Sequence, residues 1–178
     1  SISPLIKAIN VLLFKLEGQI IMRHPEFDMH DRLLLDKIDT NTGTVDIEGV
    51  TWQLRTTDFP TVDPEHPYDL TTEEQNIVGK LVAEFTGADH LRRHIEFLYS
   101  HGSVYLVRNG NLLFHGCVPM NEDGTFSSFN CMGTYRSGRD YLDFCDDVAR
   151  RAWRMHDRDA LDWMWYLWIG FKSPMSGR

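Results

Sequence analysis

The sequence predicts an α+β fold, with helices towards both ends of the chain and short strands between them. Apolar residues recur at helical spacing near the start and again near the end. Between these segments lie short apolar runs bounded by turn residues, one of which carries an Asn-Gly pair typical of a β-hairpin. With 178 residues and 42% hydrophobic content, the chain is long enough to bury a core.

The first predicted helix begins at Ser3, as N-cap, and reaches at least Gly18. Pro4 suits the first helical turn. Apolar residues follow at helical spacing: Leu5, Ile6, Ile9, Leu12, Leu13 and Leu16. Three β-like runs come next, and the turn residues between them predict a small antiparallel meander of strands Leu33 to Ile38, Thr44 to Ile47 and Val50 to Leu54.

A proline-rich connector follows the meander. Pro60, Pro64 and Pro67 lie within 57–70, so neither a helix nor a central strand can continue through this segment. We therefore predict a boundary here, between a helix-plus-meander segment (1–56) and a second segment (71–178).

The second segment is predicted to contain helices around a hairpin. Thr71 and Glu74 form a capping box for a helix that ends at Gly87, and a further helix ends at His101-Gly102. Asn109-Gly110 then joins the strands Val104 to Val107 and Asn111 to Phe114. The last predicted elements are a strand (Thr125 to Phe129), a helix from about Gly138, and an aromatic helix. Helical spacing makes the tryptophans there core residues: Trp153, Trp163, Trp165 and Trp168.

Composition excludes several classes of protein. A net charge of -8 argues against a nucleic-acid partner, because binding phosphates requires clustered Lys and Arg. The apolar run Trp163 to Ile169 is too short to span a bilayer, and no signal segment opens the chain. The three cysteines, Cys117, Cys131 and Cys145, form no C-x-x-C pair and are read as small buried residues. We expect a soluble, cytoplasmic protein with no membrane partner.

His115 is the first candidate for chemistry. It follows the apolar strand Leu112 to Phe114 and precedes Gly116, so its imidazole can project from a strand tip while the backbone turns behind it. Such a residue could ligate a metal. The alternative from spacing alone is a hydrogen-bonded histidine at a strand end.

Four separated motifs resemble the class III, Firmicute-type fructose-1,6-bisphosphatases. The motifs are Phe14-Lys15-Leu16-Glu17-Gly18-Gln19, Asp31-Arg32-Leu33-Leu34-Leu35-Asp36-Lys37-Ile38, Asn109 to Pro119, and Trp165-Tyr166-Leu167-Trp168. They span nearly the whole chain in the right order. The resemblance implies a calcineurin-like metallophosphatase that hydrolyses fructose 1,6-bisphosphate in gluconeogenesis, with manganese as the usual metal. It also implies that the hairpin belongs to the metallophosphatase sheet, that 71–178 is part of the catalytic domain, and that His115 is a metal ligand.

Most metal motifs of such phosphatases are absent from this sequence. Asp28-Met29-His30 matches one of them by letters, but no apolar strand precedes it, and we interpret it as surface sequence. Two cations are needed to clamp the phosphate and activate water. The resemblance therefore implies that the chain is an interior fragment, inactive by itself, whose parent is a fructose-bisphosphatase.

Arg136 and Arg139 flank Ser137-Gly138 where a helix is predicted to start, and they could bind a substrate phosphate. The favoured alternative is a solvated cap in which Arg139 pairs with Asp143. The aspartates of the same helix are interpreted as a solvated acidic face: Asp140, Asp143, Asp146 and Asp147.

A second function remains open from the sequence. The chain could be a non-catalytic regulatory or oligomerisation module that binds a protein or effector. The sequence leaves the metal, the effector, the sugar-selecting residues and any homo-oligomer undetermined.

Overall fold

The computed structural model describes residues 3–176 and contains two compact units, 1–88 and 89–178. Each unit has its own helices and its own antiparallel strands, so the predicted α+β class is confirmed. Within residues 3–176, none of the helices combines the length and the apolar character needed to cross a bilayer.

The first unit packs a long helix beside a three-stranded meander. Its elements are α1 (Pro4–Arg23), β1 (Ile38–Asp39), β2 (Thr44–Ile47), β3 (Val50–Gln53) and α2 (Thr72–Gly87), with 3-10 turns at Pro25–Phe27, His30–Arg32 and Leu35–Lys37. The strands are antiparallel in the order β1-β2-β3, with Val45 opposite both Ile38 and Trp52. The buried apolar residues include Val11, Ile21, Phe27, Leu35 and Val45.

The meander was predicted correctly, but its first strand is shorter than predicted. Within Leu33 to Ile38, residues Leu35–Lys37 form a 3-10 turn, and only Ile38–Asp39 pairs as a strand. The three successive leucines Leu33, Leu34 and Leu35 are all at least half-buried, which a strand with alternating faces cannot achieve beside a single core. The irregular backbone at Leu33 and Leu34 and the 3-10 turn from Leu35 place all three towards the interior.

The proline-rich connector packs onto α1 and lies inside the first unit. The ring of Tyr68 fills the space above Gly18, where any Cβ would clash with it, and its hydroxyl donates to Asp36 Oδ1 at 2.6 Å. Lys15, fully buried, pairs with Glu74 Oε2 at 2.8 Å and also donates to the Thr61 carbonyl. The division at 88/89 thus differs from the predicted segments 1–56, 57–70 and 71–178, because these side-chain contacts tie the connector to the helix. The assignment of 71–178 to a partial catalytic domain stays a prediction.

In its described residues, 89–176, the second unit contains three helices and two hairpins. Its elements are α3 (Asp89–His101), β4 (Tyr105–Arg108), β5 (Asn111–Phe114), β6 (Ser128–Cys131), β7 (Thr134–Ser137), α4 (Gly138–Met155) and α5 (Arg158–Ile169). The predicted Asn-Gly turn is confirmed, with φ of 51° at Asn109 and 75° at Gly110. In the described residues, each hairpin forms a separate two-stranded sheet, and membership of a larger metallophosphatase sheet stays a prediction.

The β6–β7 hairpin was only partly predicted. The strand expected at Thr125 to Phe129 begins at Ser128 instead, and β7 was missed. The turn between them places Met132 at a φ of 52°, before Gly133 at 86°. Methionine rarely adopts this conformation, so the sequence carries a weak turn signal there. The side chain of Asn130 stabilises the turn by accepting the Gly133 N–H at 2.8 Å.

Helices α4 and α5 form the core of the second unit. Tyr141, Cys145 and Ala160 are fully buried, and burial raises the pKa of Cys131 and of Tyr166 each to about 12. These groups therefore stay neutral at physiological pH.

Of the four tryptophans predicted to be core residues, Trp163 is buried, whereas Trp153 and Trp165 are half-buried. Trp168 is 82% exposed, so that prediction was wrong: it lies on the outer face of the last helical turn.

Candidate functional site

His115 lies directly after the last residue of β5, at the tip of the hairpin's second strand. The residue is exposed, and its ring makes no hydrogen bond or ion pair with any residue in 3–176. This environment differs from the alternative of a hydrogen-bonded histidine at a strand end. An exposed imidazole with free nitrogens is available to a metal, and its role as a ligand stays a prediction.

The residue after His115 is held by the end of the chain. Gly116 donates its N–H to the Pro174 carbonyl at 2.8 Å. A Cβ on Gly116 would clash with the Ser176 carbonyl oxygen and lie 2.8 Å from the Pro174 oxygen. Both are backbone atoms, which cannot move aside cheaply. Gly116 is therefore required here for space.

A second contact ties the same strand tip to the tail. The Cys117 thiol donates to the Ser173 carbonyl at 3.4 Å, and burial raises the pKa of this thiol, which keeps it protonated. We define the tail clamp as residues 173–176 in contact with Gly116 and Cys117. Sequence reasoning missed this clamp, because no local pattern links positions that are so far apart along the chain.

A complete metal centre is not present in the described part of the chain. Nowhere in residues 3–176 do three or more His, Cys, Asp or Glu side chains come close enough to hold a metal ion. His115 is thus a single candidate ligand. Asp28 and His30, which match a metal motif by letters, are both exposed in the first unit, as the surface interpretation predicted.

Arg136 and Arg139 lie where β7 meets α4, and both are paired with aspartates. Arg136 Nη1 contacts Asp140 Oδ1 at 2.7 Å, and Arg139 Nε contacts Asp143 Oδ2 at 3.4 Å. Tyr105 joins the second pair, since its hydroxyl donates to Asp143 Oδ1 at 2.6 Å and accepts from Arg139 Nε at 3.2 Å. The i,i+4 pairing expected for a solvated cap is therefore present, and the substrate-binding role of both arginines stays a prediction.

The acidic face of α4 is occupied by protein partners. Asp146 accepts from Arg150 Nε at 2.6 Å and from the Val104 N–H at 3.2 Å. Together with the two arginine pairs at the start of the helix, these contacts give Asp140, Asp143 and Asp146 structural roles. Asp140, Asp143 and Asp147 are exposed, in agreement with the interpretation of this face as solvated.

A cleft of about 750 Å³ lies between α1 and the meander in the first unit. Its walls are largely apolar and include Val11, Phe14, Val45 and Leu54, and Lys7 also lines it. Lys7 is engaged with protein groups: it donates to the Asp58 carbonyl and lies 4.6 Å from the centre of the Phe59 ring. The cleft contains none of the residues predicted to carry chemistry.

Comparison with known proteins gives a consistent relationship. The family model described as Firmicute fructose-1,6-bisphosphatase matches residues 1–178. The chain is 51% identical over 182 residues to a fructose-1,6-bisphosphatase class 3 from Clostridium novyi, and 49% identical over 177 residues to one from Clostridium tetani. A class 3 enzyme from Listeria innocua is 45% identical over 177 residues.

These alignments cover 97–99% of this chain but 27% of each relative. The chain therefore spans about a quarter of the length of the curated relatives it matches. No solved structure matches it.

Proposed function

The chain belongs to the Firmicute fructose-1,6-bisphosphatase family, and from this premise we propose that it is one part of a metal-dependent phosphatase. The whole enzyme hydrolyses fructose 1,6-bisphosphate to fructose 6-phosphate and phosphate, as a cytoplasmic step of gluconeogenesis. The family match over residues 1–178 carries this proposal.

In this proposal, His115 ligates one cation of a manganese centre. Its exposed imidazole at a strand tip suits that role, because a metal can reach either ring nitrogen. Since no three ligating side chains lie together within residues 3–176, the proposal takes the remaining ligands from other parts of the full-length enzyme. When bound, two such cations clamp the phosphate and lower the pKa of the attacking water. The part that this chain plays is to position one ligand, His115.

Arg136 and Arg139 are proposed to hold a phosphate group of the substrate. Arg139 lies in the first turn of α4, where backbone N–H groups also favour an anion, and Arg136 lies in β7 just before the N-cap. The phosphate has to compete with Asp140 and Asp143, which already contact the two guanidinium groups. We therefore expect the arginines to contribute to substrate affinity rather than to the bond-breaking step.

Phosphate release from fructose 1,6-bisphosphate, measured with and without manganese, tests the proposal. We expect activity from a full-length protein of the family's length that contains this sequence, and none above background from the 178-residue chain. One candidate ligand cannot hold the two cations that this reaction class uses. Metal-dependent turnover by the isolated chain would refute the view that it is an inactive part.

The other function open from the sequence, a non-catalytic regulatory or oligomerisation module, predicts a different result. If the full-length protein has no manganese-dependent phosphatase activity, the result supports the regulatory or oligomerisation module and refutes the phosphatase proposal. If activity is present and depends on His115, the phosphatase proposal is supported.

A further inference from the structure

We propose that Ser173 is a positioning residue for His115: its buried hydroxyl holds the tail in the turn whose backbone fixes the strand tip. This inference rests on the proposed metal role of His115. Ser173 lies 58 positions after His115 along the chain, and no local sequence signal connects the two residues.

Ser173 is fully buried, and every polar atom of the residue is engaged. Its hydroxyl donates to the Leu167 carbonyl in α5 at 2.7 Å and accepts the Met175 N–H at 3.1 Å. Its own N–H donates to the Gly170 carbonyl at 3.1 Å. The hydroxyl thus anchors the turn at 173–176 to the end of α5.

The turn at 173–176 holds the strand tip. The Ser173 carbonyl accepts from the Cys117 thiol, and the next carbonyl, that of Pro174, accepts the Gly116 N–H at 2.8 Å. Pro174 is also fully buried, so its carbonyl has little freedom to reorient. A chain of direct contacts therefore runs from α5 through Ser173 and Pro174 to the residue adjacent to His115.

His115 depends on this backbone support because its ring has no other. Metal-ligating histidines usually donate their second ring N–H to a carboxylate or carbonyl, which orients the imidazole. Among the described residues, the ring of His115 has no such partner. The position of the imidazole is consequently set by the backbone at 115–117, which the tail clamp holds.

Helix α4 adds a further anchor to the same tail. The buried Tyr141 donates its hydroxyl to the Lys172 carbonyl at 3.2 Å, one residue before Ser173. Since this bond does not involve the Ser173 side chain, removing the Ser173 hydroxyl should loosen the turn without detaching the tail. Ser173→Ala is accordingly a mild and specific probe of the clamp.

Amide hydrogen exchange on the 178-residue chain tests the structural step. We expect Ser173→Ala to speed exchange at the Gly116 N–H by about tenfold, because a local opening that exposes this bond becomes easier. Ser127→Ala is the matched control: Ser127 is also a buried serine of the second unit, and its hydroxyl donates to Asn121 Oδ1 at 2.9 Å. The control should leave Gly116 exchange unchanged. Equal exchange at Gly116 in Ser173→Ala and the unmodified chain would overturn the inference.

The manganese requirement of the full-length enzyme tests the functional step. We expect Ser173→Ala to raise the manganese concentration for half-maximal activity by about tenfold, as is typical when a residue supporting a ligand is lost. Turnover at saturating manganese should change much less. Cys117→Ala, which removes only the weaker thiol bond, should raise the requirement by a smaller factor and provides a second variant should Ser173→Ala fail to fold.

His115→Ala, measured beside these variants, separates the two possible failures. If His115→Ala leaves the manganese requirement unchanged, the proposed metal role is wrong, and Ser173 cannot act through it. If His115→Ala raises the requirement but Ser173→Ala and Cys117→Ala behave like Ser127→Ala, the metal role stands and the positioning inference is wrong.

Discussion

Gly116 and Gly79 lie in opposite environments, although neither has the left-handed backbone that usually requires glycine. Gly116 faces the carbonyl oxygens of Pro174 and Ser176, with no room for a methyl group. Gly79 lies within α2, and a Cβ there would meet no atom within 4 Å. Glycine at position 116 is therefore required by packing, whereas glycine at position 79 only weakens a helix.

Alanine at these two positions should have effects of opposite sign. We expect Gly116→Ala to destabilise the chain by roughly 1–3 kcal/mol, because the added methyl forces the tail backbone to shift. Gly79→Ala should stabilise it by up to about 1 kcal/mol through higher helix propensity. Chemical denaturation of both variants measures the difference, and a stable Gly116→Ala protein would mean that the tail is not seated against the strand tip.

The second prediction at this scale concerns His115. In the full-length enzyme, His115→Ala should lower activity by at least about 100-fold and raise the manganese requirement, since losing even a supporting residue typically costs about 10–100-fold. The metal-free melting temperature should barely change, because the ring is exposed and makes no hydrogen bond within 3–176.

Activity against manganese concentration and metal-free melting should be measured on the same preparations. His90→Ala is a suitable control, since His90 is also exposed and lies on α3. Unchanged activity with a lowered melting temperature would identify His115 as a structural residue.

Among the secondary structure elements, α1 and the start of α2 are joined by an ion pair inside the first unit. Lys15 is fully buried, and Glu74 also closes the capping box of α2 by accepting the Thr71 N–H at 2.9 Å. Burial alone would raise the pKa of Glu74, but the hydrogen bonds from Lys15, the Thr71 backbone and the Thr61 side chain outweigh it and lower the pKa below 4.5. The folded state therefore favours the ionised carboxylate.

This pair should make stability depend on pH in a specific direction. A carboxylate with a lowered pKa in the folded state stabilises fully above its unfolded pKa, and this contribution disappears as pH falls through the folded value. In Lys15→Met, the cation that lowers the pKa is gone while burial remains. We expect a loss of about 3 kcal/mol at pH 7, from leaving a buried charge unpaired.

The difference between Lys15→Met and the unmodified chain should shrink as pH falls, first through the raised pKa of Glu74 in the variant and then through its lowered pKa in the unmodified chain. Urea unfolding at several pH values measures this convergence. Lys80→Met, at an exposed position of α2, should show no such difference at any pH. A constant difference across the pH range would mean that the pair does not govern the titration of Glu74.

Elements with a strong local signal could be predicted from the sequence. The Asn109-Gly110 turn and the Thr71–Glu74 capping box are both present, because each depends on residues within four positions of one another. Two other elements lacked such a signal: the turn at Leu35–Lys37 depends on burying three successive leucines, and the β6–β7 turn uses Met132 in a rare conformation. The exposed histidine at the strand tip could be proposed from its motif, whereas the clamp at Ser173 depends on tertiary packing.

Considered as a whole molecule, the chain leaves much apolar surface uncovered. Both faces of the β4–β5 hairpin are open, with large apolar side chains at least 45% exposed: Leu106, Val107, Leu112, Leu113 and Phe114. Patches of this kind usually mark surfaces that contact other protein. The chain spans 27% of its relatives' length, and under the proposed function the rest of the full-length enzyme supplies such contacts.

The exposed hairpin should make the isolated chain associate with itself. We expect Val107→Lys, at a position 62% exposed, to shift the chain towards the monomer, because a charge on an open strand disfavours pairing between copies. Sedimentation at several concentrations measures the shift. Thr51→Lys adds the same charge to the exposed third strand of the meander and should have little effect. Equal association of both variants would place the contact elsewhere.

The tail clamp also bears on the order of events during synthesis. Cys117 and Ser173, which it joins, are 56 residues apart along the chain. At translation rates of about 5–20 residues per second, the strand tip is complete roughly 3–11 s before the tail that secures it has been made. During this interval the hairpin can form through its local turn, but the backbone beside His115 lacks its anchor. Under the proposed metal role of His115, its imidazole is ordered late in synthesis, and metal capture waits until α4 and α5 are in place.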